Sequence, residues 1–513
     1  MALLIALFLA TRLINLSTFP LHGDESTYVY WGKIVANDWS YRFIGDWGGK
    51  QPLIPWLVAV AWNILPNSPL VGARLISVIA SAFTCVGLWL FARGVFSRRI
   101  AFLSVLMYLL IPYSTLFDRL ILLDALTTAQ ALWAYYLCYR LFRRPTYWAG
   151  LGLALVIATG LLTKATSWMF LPLAPLAIVC FSRAEWRDRI RGALPKLVFG
   201  AMLGLVVYYV AYGSTPSASA IAGDRSYSLT FAEIFTFPFD TWTSNAGRIF
   251  DYFASYLAWP ALIAAVVTLI LSPRLGARHV ALAVWTLLPV IAFIVIARVL
   301  FSRYFTFVLP PVCLLIVATL EWLVNRLAPR VQSSLPRWPL RALPEIATAI
   351  VLIIPIIHTG LLVLSPQPFI FASEDRDPYY LGALVAPAPL VADLRAKAAS
   401  EPVLLLTNYG MDGVLMGVVS RLPRTDSSIS VAGLWPSDNN KLIPYDPLIV
   451  PPKTALPPDT LQRHTLLFAS VAGQEGAMMP FIKLIKSYPD LSGRDQYVLY
   501  SVDRDQFTQW LIQ

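Results

Sequence analysis

The sequence predicts a polytopic α-helical membrane protein that carries a small α/β domain at its C-terminal end. Three observations predict it. Hydrophobic residues make up 57% of the 513 and charged ones 13%, with a mean hydropathy of +0.63, a balance that a charged, water-facing surface does not allow. Arginines gather in alternate links between apolar runs, and from about Ser365 the composition turns polar. The formal charge of +11 would suit a nucleic-acid partner, but the basic residues sit mostly in those short links, where they report topology and not DNA binding. Cys85, Cys138, Cys180 and Cys313 fall inside apolar runs with no CxxC or Cys/His ligand spacing, which supports neither a disulfide framework nor a zinc site.

A span needs about 20 apolar residues. On that template helices are expected near 1–16, 71–92, 100–117, 124–142, 147–164, 167–182, 194–213, 254–272, 279–298, 303–324 and 343–364, about eleven transmembrane helices in all. The first fifteen residues lack a basic n-region and a small-residue cleavage site, so they read as a retained helix. The links holding Arg93, Arg98 and Arg99, then Arg140, Arg143 and Arg144, then Arg183 to Arg191, then Arg274 and Arg278, then Arg326 to Arg341 all fall on one side. The positive-inside rule makes that side cytoplasmic, with the N-terminus inside and the tail outside.

Two outward links are long. Residues 17–70 contain Tyr28 to Ala36 and Leu53 to Leu65, rich in Trp and Tyr as expected of interfacial helices. Residues 214–253 carry Asp224, Arg225, Glu233, Asp240, Arg248 and Asp251. The division expected is a transmembrane domain over 1–364 and an extracytoplasmic α/β domain over 365–513. In the latter, strands are expected at Val403 to Thr407, Leu466 to Val471 and Tyr497 to Val502. Helices are expected around Val391 to Ala399, Gly413 to Arg421, Gly476 to Tyr488 and Gln506 to Ile512.

The chemistry is sought first in His22-Gly23-Asp24-Glu25-Ser26-Thr27-Tyr28, where two adjacent carboxylates follow the first apolar segment. Such a pair beside hydrocarbon points to function. Topology brings Asp24, Glu25, Tyr28, Lys50, Arg74, Arg119, Asp124, Lys164, Arg298, Arg303 and Tyr304 to the outer ends of helices. A carboxylate near a cationic pocket suits a displacement in which the carboxylate takes a hydroxyl proton and the cations stabilise a departing phosphate. A lipid-linked phosphosugar satisfies both, its tail among the spans and its sugar in water.

Several of these residues stand in ordered elements: Asp24-Glu25 with Tyr28, Lys50-Gln51-Pro52-Leu53, Ala73-Arg74-Leu75-Ile76-Ser77, Asp118-Arg119 with Leu122-Leu123-Asp124-Ala125, Gly160-Leu161-Leu162-Thr163-Lys164, and Arg303-Tyr304 ahead of Pro310-Pro311. In them the chain resembles the C-type integral-membrane glycosyltransferases (the GT-C fold), specifically glycosyltransferase family 39, which holds the protein mannosyltransferases and the lipid A aminoarabinose transferase. The resemblance implies inverting transfer of a sugar from a polyprenyl-phosphate donor to a hydroxyl of a lipid, glycan or protein acceptor, at the outer face of the cytoplasmic membrane. It implies Asp24 as base or acceptor-orienting group, with Glu25 beside it and Asp124 as a second acidic residue. Tyr28 and Lys50 would bind the donor phosphate, joined by Arg119, Lys164 and Arg303. A divalent ion, Mg²⁺ or Mn²⁺, shared by Asp24 and Asp124 is left open, and no nucleic-acid partner is implied. One departure is Gln51, which stands where the family's Lys-Pro-Pro-Leu element has its first proline.

Plainer readings stand beside these. Asp24 and Asp124 suit helix N-caps, Lys50 and Lys164 suit interfacial anchors, and Arg74, Arg119 and Arg303 suit structural ion pairs as well as phosphate contacts. His22 reads as a loop residue, and His279 and His358 as structural. A lipid-linked sugar transporter or flippase is the alternative class. It calls for ionisable groups at mid-span or paired broken helices, whereas the charges here cluster at outer helix ends. A lipid-phosphate hydrolase would need a Ser/His/Asp or His-rich constellation, which the outer face lacks.

Overall fold

The structure is a computed structural model that describes the whole chain except residues 213–226, 332–336, 382–383, 409–412, 424–427, 437–441, 446–457 and 513. The chain divides into two compact units. One comprises Met1–Leu16, Gly45–Leu53 and Ser77–Ser373, the other Ser17–Ile44, Ile54–Ile76 and Glu374–Gln513.

Helices build the first unit. Among the described residues six are long and apolar enough to cross a membrane: Pro69–Val95, Arg183–Tyr212, Phe239–Leu275, Ala277–Ile296, Ser302–Arg326 and Ala342–Leu364. The chain is a multi-pass membrane protein. Where it departs from the expected spans, the reasons are local. Ala2–Leu13 has 12 residues and covers only about 18 Å of a hydrocarbon core of roughly 30 Å. Residues 100–117 divide into Arg98–Leu110 and Pro112–Phe117, because Pro112 has no N–H to continue the first helix. Pro172 and Pro175 likewise turn most of 167–182 into a 3₁₀ segment, Leu171–Cys180. Helix Phe239–Leu275 kinks at Ala258, which takes φ 60° two residues before Pro260. Helices Tyr147–Thr163 and Trp186–Tyr212 meet at small residues. A Cβ on Gly200 would come within 2.7 Å of the Gly150 carbonyl oxygen, and one on Gly204 within 2.8 Å of that of Ala154.

A buried polar network ties the N-terminal helix to its neighbours. Arg12 donates from Nε and Nη2 to Asp118 Oδ2 at 3.2 and 3.0 Å, and from Nη1 to Thr115 Oγ1 at 2.9 Å. Ser81 and Tyr108 hydroxyls donate to the same carboxylate at 2.6 and 3.1 Å. The Arg12 and Asp118 side chains are 0% and 3% exposed.

The second unit contains a six-stranded sheet of order β3-β2-β1-β4-β6-β5. Its strands are β1 Val403–Asn408, β2 Ile429–Pro436, β3 Leu442–Tyr445, β4 Thr465–Val471, β5 Ile482–Pro489 and β6 Asp495–Val502. β2, β1 and β4 are parallel, and antiparallel strands close both edges. Helices Pro387–Ala398 and Val414–Val419 cover one face through Leu390, Leu394, Val414 and Val418, while Leu461, Met478 and Phe507 cover the other. This is the expected α/β domain with two corrections. Gly476 to Tyr488 is not a helix: a 3₁₀ turn containing Pro480 leads into β5, whose Lys483 and Lys486 stand on an edge strand where charge guards against further pairing. β2 and β3 went unanticipated.

Helix Gly23–Asn37 and all but the first residue of helix Leu53–Ile64, expected as interfacial pieces, lie in this same unit. Lys33 on the first of them donates Nζ to the carbonyls of Val419 and Leu422, the latter at 2.7 Å, and lies 4.8 Å from the Trp62 ring centroid. Burial lowers its pKa from 10.5 to about 7. The unfolded chain therefore binds more protons than the folded one between about pH 7 and 10.5, so this residue makes stability rise with pH across that window. Thermal unfolding in detergent is expected to show the rise, and Lys33→Met to flatten it. An unchanged slope in the variant would show that other groups cause it.

Candidate active site

The first unit holds a cleft of about 370 Å³ whose lining includes Lys50, Gln51, Lys164, Trp168, Tyr227 and Tyr304. Lys50 arrives on a tight turn. Its N–H bonds the Gly45 carbonyl at 2.9 Å, and Gly49 takes φ 67°, a conformation glycine adopts without strain. The Tyr212 hydroxyl donates to Asp46 Oδ1 at 2.6 Å and fixes this turn to the end of helix Trp186–Tyr212, while burial raises the Asp46 pKa. So Gln51, which interrupts the family's proline pair, still stands beside a lysine held by local hydrogen bonds.

Lys164 caps the C-terminal end of helix Tyr147–Thr163. Its Nζ meets Asp124 Oδ1 at 2.6 Å and lies 4.0 Å from the Tyr304 ring centroid. Arg303 Nε stands 3.8 Å from Asp124 Oδ2. Asp124 lies in the first turn of helix Leu123–Arg143, whose N-cap is Leu122, so the carboxylate is held by two cations and not used as a cap. Thr306 accepts from the Thr128 hydroxyl at 3.0 Å, which joins the Asp124 helix to the Arg303 segment.

The upper wall comes from the second long loop. Arg298 N–H donates to the Tyr227 carbonyl at 3.0 Å, Leu229 N–H to that of Ile296 at 2.7 Å, and Arg298 pairs with Glu233. The backbone N–H of Thr230 and then Arg298 hold Glu233 down to a pKa of about 2. This clasp puts the Tyr227 ring centroid 5.4 Å from Lys50 Nζ. Aromatic faces in contact with two lysines hold those cations without neutralising them. Arg225, one candidate for the cation of this loop, lies outside the described residues; the other, Arg248, lies in helix Phe239–Leu275.

Asp24, Glu25 and Tyr28 belong to the second unit. His22, not Asp24, is the N-cap of helix Gly23–Asn37: it accepts the Asp24 N–H at Nδ1 (3.2 Å) and its ring stacks on Tyr379 at 4.4 Å. Glu25 completes the capping box by accepting the His22 N–H at 3.1 Å. It also takes both forks of Arg74 at 2.9 and 2.7 Å, with both side chains fully buried. Arg74 further donates to the carbonyls of Phe19 and Pro20 at 3.1 and 3.0 Å, so the pair shapes the turn that leads into Asp24. Asp24 is half-buried. Tyr28 is buried with its ring edge-on to Trp31 at 6.0 Å. Arg119, in the first unit, is buried and donates to the Ile14 carbonyl at 2.6 Å.

The structure thus brings together Lys50, Lys164, Asp124 and Arg303 in one unit and His22, Glu25 and Arg74 in the other. Sequence reasoning missed Tyr227 as part of the cleft wall and Arg12 as the partner of Asp118. Among the described residues no group of three or more His, Cys, Asp and Glu side chains stands close enough to hold a metal ion.

Over 98% of its length the chain superimposes on 96% of ArnT from Cupriavidus metallidurans bound to undecaprenyl phosphate, with a TM-score of 0.58 and 14% identity. Its fold is that of ArnT. The apo state of the same enzyme matches over the same shares with a TM-score of 0.52 and 15% identity. Residues 49–212 match the family described as dolichyl-phosphate-mannose-protein mannosyltransferase. None of the curated proteins compared matches in sequence. The chain thus shares the fold of ArnT, and about a third of its sequence is similar to the protein mannosyltransferases. The matched stretch contains Lys50, Arg119, Asp124 and Lys164 and stops short of Arg303, while Asp24, Glu25 and Tyr28 precede it. The superposition on ArnT covers 98% of the chain.

Proposed function

We propose that the protein is an inverting glycosyltransferase that moves a sugar from a polyprenyl-phosphate donor to a hydroxyl of a lipid, glycan or protein acceptor at the outer face of the cytoplasmic membrane. The observation that carries this reading is the cleft of the first unit, where Lys50 and Lys164 stand against Tyr227 and Tyr304 and Asp124 pairs with Lys164. ArnT, to which the fold is similar, has been seen with undecaprenyl phosphate bound.

The chemistry accounts for the surplus of positive charge. The donor is a phosphodiester with one negative charge, and its leaving group, a polyprenyl phosphate, is a dianion. Cations placed at the phosphate therefore interact more strongly with the transition state than with the ground state. In the proposed single displacement the acceptor oxygen attacks the anomeric carbon, its proton passes to Asp24, and the bond from carbon to phosphate oxygen breaks with inversion. Lys50 and Lys164 stabilise the departing phosphate. Arg303 and Asp124 hold Lys164 in place, and Tyr28 and Arg119 complete the donor-binding set proposed from the sequence. Glu25 supports Asp24 through the turn it shapes with Arg74. No covalent intermediate is required.

A divalent ion, Mg²⁺ or Mn²⁺, does not enter this mechanism. Asp124 faces Lys164 with one oxygen and Arg303 with the other, so it does not fit as a metal ligand. We propose residues 1–364 as the transmembrane domain, N-terminus inside, and 365–513 as an extracytoplasmic domain.

Mass spectrometry of lipids that co-purify with the protein tests the donor class. A polyprenyl-phosphate sugar supports the proposal, and purified protein that neither carries nor turns over one overturns it. Lys50→Ala is expected to weaken donor binding about tenfold or more, the loss of a charge-assisted contact worth roughly 1.5–3 kcal/mol, and to leave acceptor binding unchanged. Equal donor affinity in the variant and the parent would remove Lys50 from the phosphate role.

A further inference from the structure

The second unit contains another cationic cleft, with no residue in common with the first. Its volume is about 230 Å³, and Ser17, Asn67, Ser68, Arg395 and Arg421 line it beside the first turn of helix Pro69–Val95. Among the described lining residues there is no Asp or Glu. Arg421 Nε is buried and has no hydrogen-bond partner among the described residues. Burial first, and then the charge of Arg74, lower this guanidinium to about 10, while the charge of Glu25 opposes them. Glu25 gives both its oxygens to Arg74.

A guanidinium drawn out of water without its acceptor costs free energy, and a bound anion removes that cost. Arg395 supplies a second positive charge at the mouth of the cleft. The first turn of the helix adds backbone N–H groups that have no acceptor within the helix. That helix is long and apolar enough to cross the membrane, so its first turn marks headgroup level. We propose that the Arg395–Arg421 cleft is an anion site for a phosphate group, carried by a lipid headgroup or free in solution. The guanidinium fork suits phosphate because two N–H groups meet two oxygens side by side.

The test uses the full chain in neutral detergent, with thermal unfolding followed in sodium phosphate and in sodium chloride at equal ionic strength. A second arm compares nanodiscs of phosphatidylcholine with nanodiscs that also contain phosphatidylglycerol. Phosphate or the anionic lipid is expected to raise the unfolding midpoint of the parent and of Lys50→Ala alike. Arg421→Gln and Arg395→Gln are expected to reduce the apparent phosphate affinity about tenfold, which is ~1.4 kcal/mol. A shift only in the anionic nanodiscs assigns the lipid as source, and a shift with dissolved phosphate assigns the free ion. A shift that disappears in Lys50→Ala belongs to the first cleft and overturns the proposal. So does a shift that persists in both arginine variants, or no shift in either arm. If Arg421→Gln fails to fold, Arg395→Gln alone decides, since its side chain is exposed.

Discussion

Asp24→Asn is expected to abolish sugar transfer while leaving the fold intact. The substitution keeps size and shape and removes the capacity to accept the acceptor's proton, and a positioned base is worth about 10²–10⁴ in rate. Its structural cost is small. Asp24 is half-buried and is not the cap of its helix; His22 is, with Glu25 completing the box. The helix loses one negative charge from its first turn, worth roughly 0.3–1 kcal/mol. Release of polyprenyl phosphate from a labelled donor should therefore fall to background, with the unfolding midpoint in detergent nearly unchanged. Glu25→Gln is the contrast, because it removes the carboxylate charge paired with the buried Arg74 guanidinium and should lower activity and thermal stability together. Full turnover by Asp24→Asn would remove this carboxylate as the base.

The contrast between these neighbours marks how far the sequence could be read. That both carboxylates belong beside the membrane followed from hydropathy and the arginine-rich links. That Glu25 is held by Arg74 did not, because Arg74 lies 49 positions away and nothing in a one-dimensional pattern ties the two together. Asp124 shows the same limit from the other side. Topology brought it, Lys50, Lys164 and Arg303 to one face, and three of the four meet within 4 Å in pairs through Asp124. Tyr227 stayed hidden because its place depends on a clasp between Glu233 and Arg298, formed by two stretches more than sixty residues apart. In the α/β domain the apolar central strands β1 and β4 were legible as buried runs. β5 was not, since Ile482-Lys483-Leu484-Ile485-Lys486 is compatible with both helical and strand periods, and only pairing with β6 decides between them.

Arg12→Leu is expected to be among the most destabilising single changes in the membrane unit. The substitution leaves Asp118, 3% exposed, without the two charge-assisted bonds it accepts from Arg12, and removing one partner of a buried pair costs about 3–5 kcal/mol. The hydroxyls of Ser81 and Tyr108 remain to solvate the carboxylate in part, which argues for the lower end of that range. Most of the penalty is an uncompensated charge and not a lost attraction, so the double variant Arg12→Leu/Asp118→Leu should recover much of the stability lost by the single one. The three unfolding midpoints in one detergent decide the point. If the double variant is as unstable as Arg12→Leu, the wider hydrogen-bond network through Thr115 and Ser114, and not the ion pair, holds the N-terminal helix. Arg12 lies in the last turn of its 12-residue helix. Nothing in the one-dimensional pattern gives that charge a partner 106 positions away. Its burial places it in the polar network that joins this helix, about 18 Å long, to its neighbours.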